Sequence, residues 1–225
     1  MMARLTMMAL VLAALWGGPA VAAERALDLL DAPVAYTADF YVTGPKGTYR
    51  GTVWHAPGRE RRDFDTQGGG QTLLLRRDTD SAYLMKPSGK WYVGLGFSAI
   101  GTLAGGLDKL VVERTRLGED VVAGIKATRY RITAAGPKGG RFDGEGWFSR
   151  DGVLVKAAGT ATDGQGRRSD VETGLSRLKL GRVDERVFEL PSGWFGMDLR
   201  SVPAERIEQA VESLRPLLEG RSAHQ

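Results

Sequence analysis

Residues 35–44, AYTADFYVTG, followed by TYRGTVWHAPG at 48–58 and RERRDFDT at 59–66, read as three short strands in succession. In the first, Tyr36, Ala38, Phe40 and Val42 fall on one side and Thr37, Asp39 and Thr43 on the other. A period of two marks a half-buried strand, because successive side chains of an extended chain point to opposite faces. The breaks are Gly44-Pro45-Lys46-Gly47 and Ala56-Pro57-Gly58, where glycine supplies positive φ and proline pre-sets the first bend. QTLLLRRD (71–78), SAYLMKPSG (81–89) and KWYVGL (90–95) carry the rhythm on, so the segment predicts an antiparallel meander. Such a meander has one apolar face, and what covers that face is the functional question.

Upstream, residues 1–23 have the layout of a secretory signal. Arg4 is the positive n-region, residues 5–16 are apolar, and small residues end the stretch at Ala23. About a dozen apolar residues fall short of the ~20 that span a bilayer, so cleavage is expected rather than anchoring. Residues 24–225 are then read as a single exported domain in the periplasm, opening with a short helical lead-in at 24–31. The chain has no cysteine, which excludes disulfides, a lipidated cysteine anchor and cysteine-ligated metal.

Charge is balanced: 31 Lys and Arg against 27 Asp and Glu, net +4, and Arg4 leaves with the signal. Basic bunches at Arg59, Arg61 and Arg62, at Arg76 and Arg77, and at Arg167 and Arg168 are interleaved with Glu60, Asp63, Asp78 and Asp170. A nucleic-acid groove would show a dominant basic stripe. These bunches read as solvated strand edges and turns, with attraction to anionic headgroups as the other reading.

Downstream of the meander the pattern changes. GFSAIGTLAGGLDKLV (96–111) has Ile100, Leu103, Leu107 and Leu110 near helical spacing but four glycines through residue 106, each weakening a helix by about 1 kcal/mol. This predicts either a lid over an apolar cavity or a crossover helix packed permanently on the sheet. A second β series follows at 110–117, 126–134, 140–149, 154–162 and 169–180, with turn signals at 120–124, 151–152 and 163–164. Residues 201–220 predict an amphipathic C-terminal helix, capped by Ser201, with Ile207, Ala210, Val211, Leu214 and Leu218 in one stripe.

Catalytic inventory is thin. His55 and His224 are the two histidines, no nucleophile elbow lies nearby, and His55 beside a strand break reads as structural or exposed. The pairs Asp63/Asp65, Asp78/Asp80 and Asp143/Glu145 lie near turns, where aspartate bonds the backbone. No catalytic residue, metal site or cofactor is expected. Trp54, Tyr83, Trp91, Tyr92, Trp147, Phe148, Trp194 and Phe195 suit either a core or the rim of a lipid pocket.

The order of motifs resembles the periplasmic lipoprotein-carrier-like (LolA-like) half-barrel group, in particular an exported branch of it. The resemblance is carried by Gly51-Thr-Val-Trp54-His-Ala-Pro57-Gly58-Arg59-Glu-Arg61, then Leu75-Arg-Arg77-Asp78, then Tyr83-Leu-Met-Lys-Pro87-Ser-Gly-Lys90-Trp-Tyr92. It continues through Gly118-Glu-Asp-Val-Val-Ala-Gly124, Tyr130-Arg-Ile, Gly144-Glu-Gly-Trp147, Asp151-Gly152, Lys156 and Val183-Asp-Glu-Arg-Val-Phe188-Glu-Leu-Pro191-Ser-Gly193. What the resemblance implies is a mainly β (α+β) fold: a strongly curved antiparallel half-barrel sheet, with the lid and the C-terminal helix over its hollow. It implies a monomeric periplasmic carrier holding a lipid, acyl chain or lipopeptide, with peripheral membrane contact. The alternative is an envelope protein-interaction, assembly or stress-sensing module without lipid. Strand parity nominates Phe40, Val42, Tyr49, Val53, Leu73, Leu75, Tyr83, Met85 and Trp91 as ligand-binding, joined by Leu103 and Leu107 from the lid. A one-residue slip would exchange the inner and outer sets.

Overall fold

The computed structural model describes residues 23–203 apart from 46, 67–68, 98, 100–108 and 137–138, together with 206, 207 and 209. The signal stretch, Leu103, Leu107 and most of the C-terminal helix lie outside the described residues.

The chain folds as expected into one open, curved, mainly antiparallel sheet of thirteen strands. The first meander comprises β2 (Tyr36–Gly44), β3 (Gly47–Ala56), β4 (Arg59–Thr66), β5 (Gly69–Arg76), β6 (Ser81–Lys86) and β7 (Trp91–Gly96). The second comprises β8 (Val111–Val122), β9 (Ile125–Ala135), β10 (Arg141–Ser149), β11 (Leu154–Thr162) and β12 (Arg168–Leu180). β12 pairs with β2, fusing the two meanders. β1 (Glu24–Arg25) adds to β8 at one edge, and β13 (Phe195–Asp198) runs parallel to β7 at the other. A five-residue helix, α1 (Ala26–Leu30), follows β1.

Direct cross-strand partners share a face, so the register sorts the side chains. One face carries the rows Ala38–Val53–Arg62–Leu73–Leu84–Val93 and Tyr36–His55–Glu60–Leu75–Ala82–Leu95. Across the β12–β2 seam the same face continues through Leu175 opposite Phe40. Trp54, Leu74, Tyr83, Met85 and Tyr92 lie on the other face. There Val183, Phe188, Leu190 and Trp194 pack over them. That covering segment is tied down by Arg61 donating to the Val187 carbonyl, Arg76 to the Phe188 carbonyl, and an Arg59–Glu185 ion pair.

Two devices bend the second meander. β8 carries a bulge between Arg116 and Gly118, where Gly118 has φ 156°. In β10 and β11, Gly144 faces Gly159. A Cβ on Gly144 would lie 2.7 Å from the Gly159 Cα and would collide with the Ala158 carbonyl, so only glycine allows this approach.

Candidate functional site

α1 lies over the hollow face. Its Ala26, Leu29 and Leu30 roof a cavity of about 430 Å³ whose walls are Leu110, Val112, Ile132, Ala134, Phe142, Phe148, Leu154, Ala157 and Ala161. Ala157 and Ala161 keep the β11 wall low, while Gly144 and Gly146 on β10, opposite Gly159 and Ala157, make room for the wall's own Phe142 and Ile132 side chains. The Phe142 ring lies over the glycine pair, 2.8 Å from where either Cβ would stand. Ser169 and the Arg167–Asp163 ion pair, at 2.7 Å, stand at the polar end of the lining. Chemically the cavity offers an apolar interior with few polar atoms, suited to burying methylenes and ill suited to stabilising charge.

A second hollow of about 280 Å³ lies on the same face beside Leu27 and Leu30, lined by Leu73, Leu75 and Phe97 together with Asp31, His55, Glu60, Arg62 and Arg77. Here α1 is pinned. Arg77 Nη1 donates to the Leu27 carbonyl (3.1 Å) and to Asp31 Oδ2 (3.0 Å), and Nη2 donates to Asp28 Oδ1 (2.6 Å). The Gly58 N–H donates to Asp31 Oδ1 at 2.9 Å. Side-chain bonds from Arg77 and Arg25 hold the Asp28 carboxyl below its usual range.

Beneath this clasp is a charged cluster around the buried His55, formed with the half-buried Glu60 and Arg62, which sequence pattern alone assigns to a solvated edge. Glu60 and Arg62 sit opposite His55 and Val53, on the apolar face. His55 is 2% exposed and stacks on the buried Tyr36 ring at 4.9 Å. Its Nε2 donates to the Ala32 carbonyl at 2.9 Å. Its Nδ1 faces Glu60 Oε2 at 3.4 Å, an ion-pair distance without the alignment of a formed hydrogen bond. Burial pulls the His55 pKa down, but Glu60, the Ala32 carbonyl and Asp31 outweigh it and hold it above the ordinary value. Burial likewise pushes Glu60 up, and Arg62, whose Nε donates to Oε1 at 2.7 Å, prevails with His55 to bring it down to about 2. The Arg62 guanidinium lies 5.1 Å over the Phe40 ring.

Of the nominated residues, seven share the hollow face: Phe40, Val42, Tyr49, Val53, Leu73, Leu75 and Trp91. Phe40 and Val53 are buried in packed core, with Val42 against them. Leu73 and Leu75 line the smaller hollow. Tyr49 and Trp91 are exposed. Tyr83 and Met85 are on the opposite face, because β5–β6 pairing sets Leu75 against Ala82 and Leu74 against Tyr83. There Met85 is buried and Tyr83 packs edge-on to Tyr92 at 5.8 Å. None of the nominated residues that are described lines the larger cavity. Its signal in the sequence is Ala157, Gly159 and Ala161 at alternate positions of one strand, together with the short apolar lead-in helix.

No family model and no curated protein matches the chain. Solved structures do. An uncharacterized conserved protein from Thermus thermophilus superimposes with a TM-score of 0.52 at 11% identity, over 77% of this chain and 96% of that one. A chain of the Pseudomonas aeruginosa MucA/MucB complex gives 0.45 at 15% identity, over 74% of this chain and 60% of its own length, so the present chain spans under two thirds of it. A LolA superfamily protein from Nitrosomonas europaea gives 0.39 at 12% identity, over 74% and 98%. These are likenesses of fold. The curved antiparallel half-barrel sheet expected from the sequence is the fold observed.

Proposed function

We propose that the protein is an exported periplasmic binding or carrier protein that holds a hydrophobic ligand (a lipid, acyl chain or lipopeptide) in the hollow of its half-barrel. The observation that carries this reading is the 430 Å³ cavity under α1, walled by aliphatic and aromatic side chains that pack on one another but leave its interior open. Each methylene buried there contributes about 0.8 kcal/mol, so a chain of several carbons gives useful affinity. The test is native mass spectrometry of protein purified from the periplasm, with titration of a fluorescent fatty-acid probe. Adducts that dissociate as lipid, and saturable probe binding, are expected. Ligand-free protein that leaves the probe unbound would refute the reading.

A second reading, an envelope interaction module without lipid, is favoured by one feature. β1 pairs only with Val111 and Val112, so among the described residues the rest of β8 is an unpaired edge, with Leu117 and Val121 exposed. Such an edge can accept a partner strand. Capture of an envelope protein that is lost on replacing Leu117 and Val121 by Lys, with no lipid recovered, would favour it.

A further inference from the structure

At the edge of the sheet away from the cavity, the hollow face ends in an apolar ledge. Strand register sets Lys86, Trp91 and Phe195 in one row and Leu84, Val93 and Met197 in the next. Phe195 is 70% exposed, Met197 48%, and Leu84 and Trp91 38% each. Single exposed apolar residues are ordinary on a soluble protein, but four on two adjoining rows form a patch that calls for an occupant. The chemistry around it selects one. Lys86 lies in the aromatic row, and Lys90 is exposed in the turn that leads into Trp91. Lysine is depleted in protein–protein contact surfaces, whereas its apolar stem and charged head suit a lipid interface beside Trp and Phe. The acid of this strand, Asp198, is taken up by Arg200 at 2.9 Å and pairs in register with Gly94, on the opposite face.

We propose that Leu84, Trp91, Phe195 and Met197 rest on a bilayer surface carrying anionic headgroups, with Lys90 at headgroup level. The proposal is independent of what the cavity holds. Apolar side chains entering the interface and an exposed lysine attracted to anionic lipid act together, as in other surface-bound proteins.

The experiment is co-sedimentation of the full chain with vesicles of phosphatidylcholine mixed with phosphatidylglycerol, and with vesicles of phosphatidylcholine alone. The wild type should sediment with the mixed vesicles, less so as salt screens the attraction. The double variant Phe195→Ser/Met197→Ser should lower the partition coefficient about tenfold or more, the scale of two large apolar side chains withdrawn from the interface. Lys90→Glu should weaken binding to the mixed vesicles alone. In the wild type a blue shift of tryptophan emission on adding mixed vesicles, absent in Trp91→Phe, provides a second reading that needs no destabilising change. The proposal is overturned if the wild type stays in the supernatant, or if the double variant binds as the wild type does. It is also overturned if light scattering shows a wild-type dimer that the double variant splits, because the ledge is then a contact between copies.

Discussion

His55 is a donor at one ring nitrogen and faces a carboxylate at the other, so the geometry selects the imidazolium. Its raised pKa contributes stability that is complete below the ordinary histidine value and is lost as pH rises through the raised one. Glu60 acts at the other end of the scale: held at about 2, it contributes above the ordinary carboxylate range and loses its contribution as pH falls toward that value. Urea midpoints of the wild type should therefore decline as pH rises above the ordinary histidine value, and His55→Gln should flatten that slope. A wild type whose slope matches the variant's would show that the ring is neutral throughout. Removing the Glu60 carboxylate leaves the half-buried Arg62 without its partner, and Glu60→Ala should destabilise by about 1–3 kcal/mol in the same measurement. Neither role was legible in the sequence. RERRDFDT looks like a solvated edge, and only its pairing with β3 and β5 shows that every second charge points into the hollow.

Among the elements, α1 is the one whose structure is least its own. Five residues cannot sustain a helix alone; it persists because Ala26 N–H bonds the Leu110 carbonyl at 3.0 Å and Arg77 clasps its far end. It is the roof of the larger cavity, and the clasp is what holds it there. The cysteine-free sequence makes this measurable: Leu29→Cys places the sole thiol under the roof. Adding Arg77→Ala should speed its labelling by a maleimide about tenfold or more, the loss of charge-assisted hydrogen bonds. An unchanged rate would assign closure to something other than the clasp. The sequence pointed to 96–107 and to the C-terminal helix as covers, and most of both lies outside the described residues. Of the first stretch Phe97 lines the smaller hollow and Ala99 is buried beside Leu95 and Ile207, while Leu103 and Leu107 lie outside the described residues.

At the scale of the whole molecule, the larger hollow keeps its room where β11 turns Ala157 and Ala161 toward it. Filling that space tests the proposed function directly. Ala157→Leu or Ala161→Leu should retain or raise the melting temperature, since added methylenes occupy existing space, while weakening fatty-acid probe binding about tenfold. Undiminished binding would move the ligand elsewhere. Gly144→Ala should act oppositely, costing stability by forcing β10 and β11 apart at the Ala158 carbonyl. The alternation of apolar residues and the placing of Gly, Pro and Asp determined by themselves that the chain forms two antiparallel meanders, since pleat and turn chemistry are local. Which meander owns the roomier hollow, that β12 closes against β2, that Tyr83 turns away from Leu73, and that α1 is the roof were decided only in the folded sheet. Register between strands far apart in the chain depends on closing all thirteen together, and one residue of slip reverses every face.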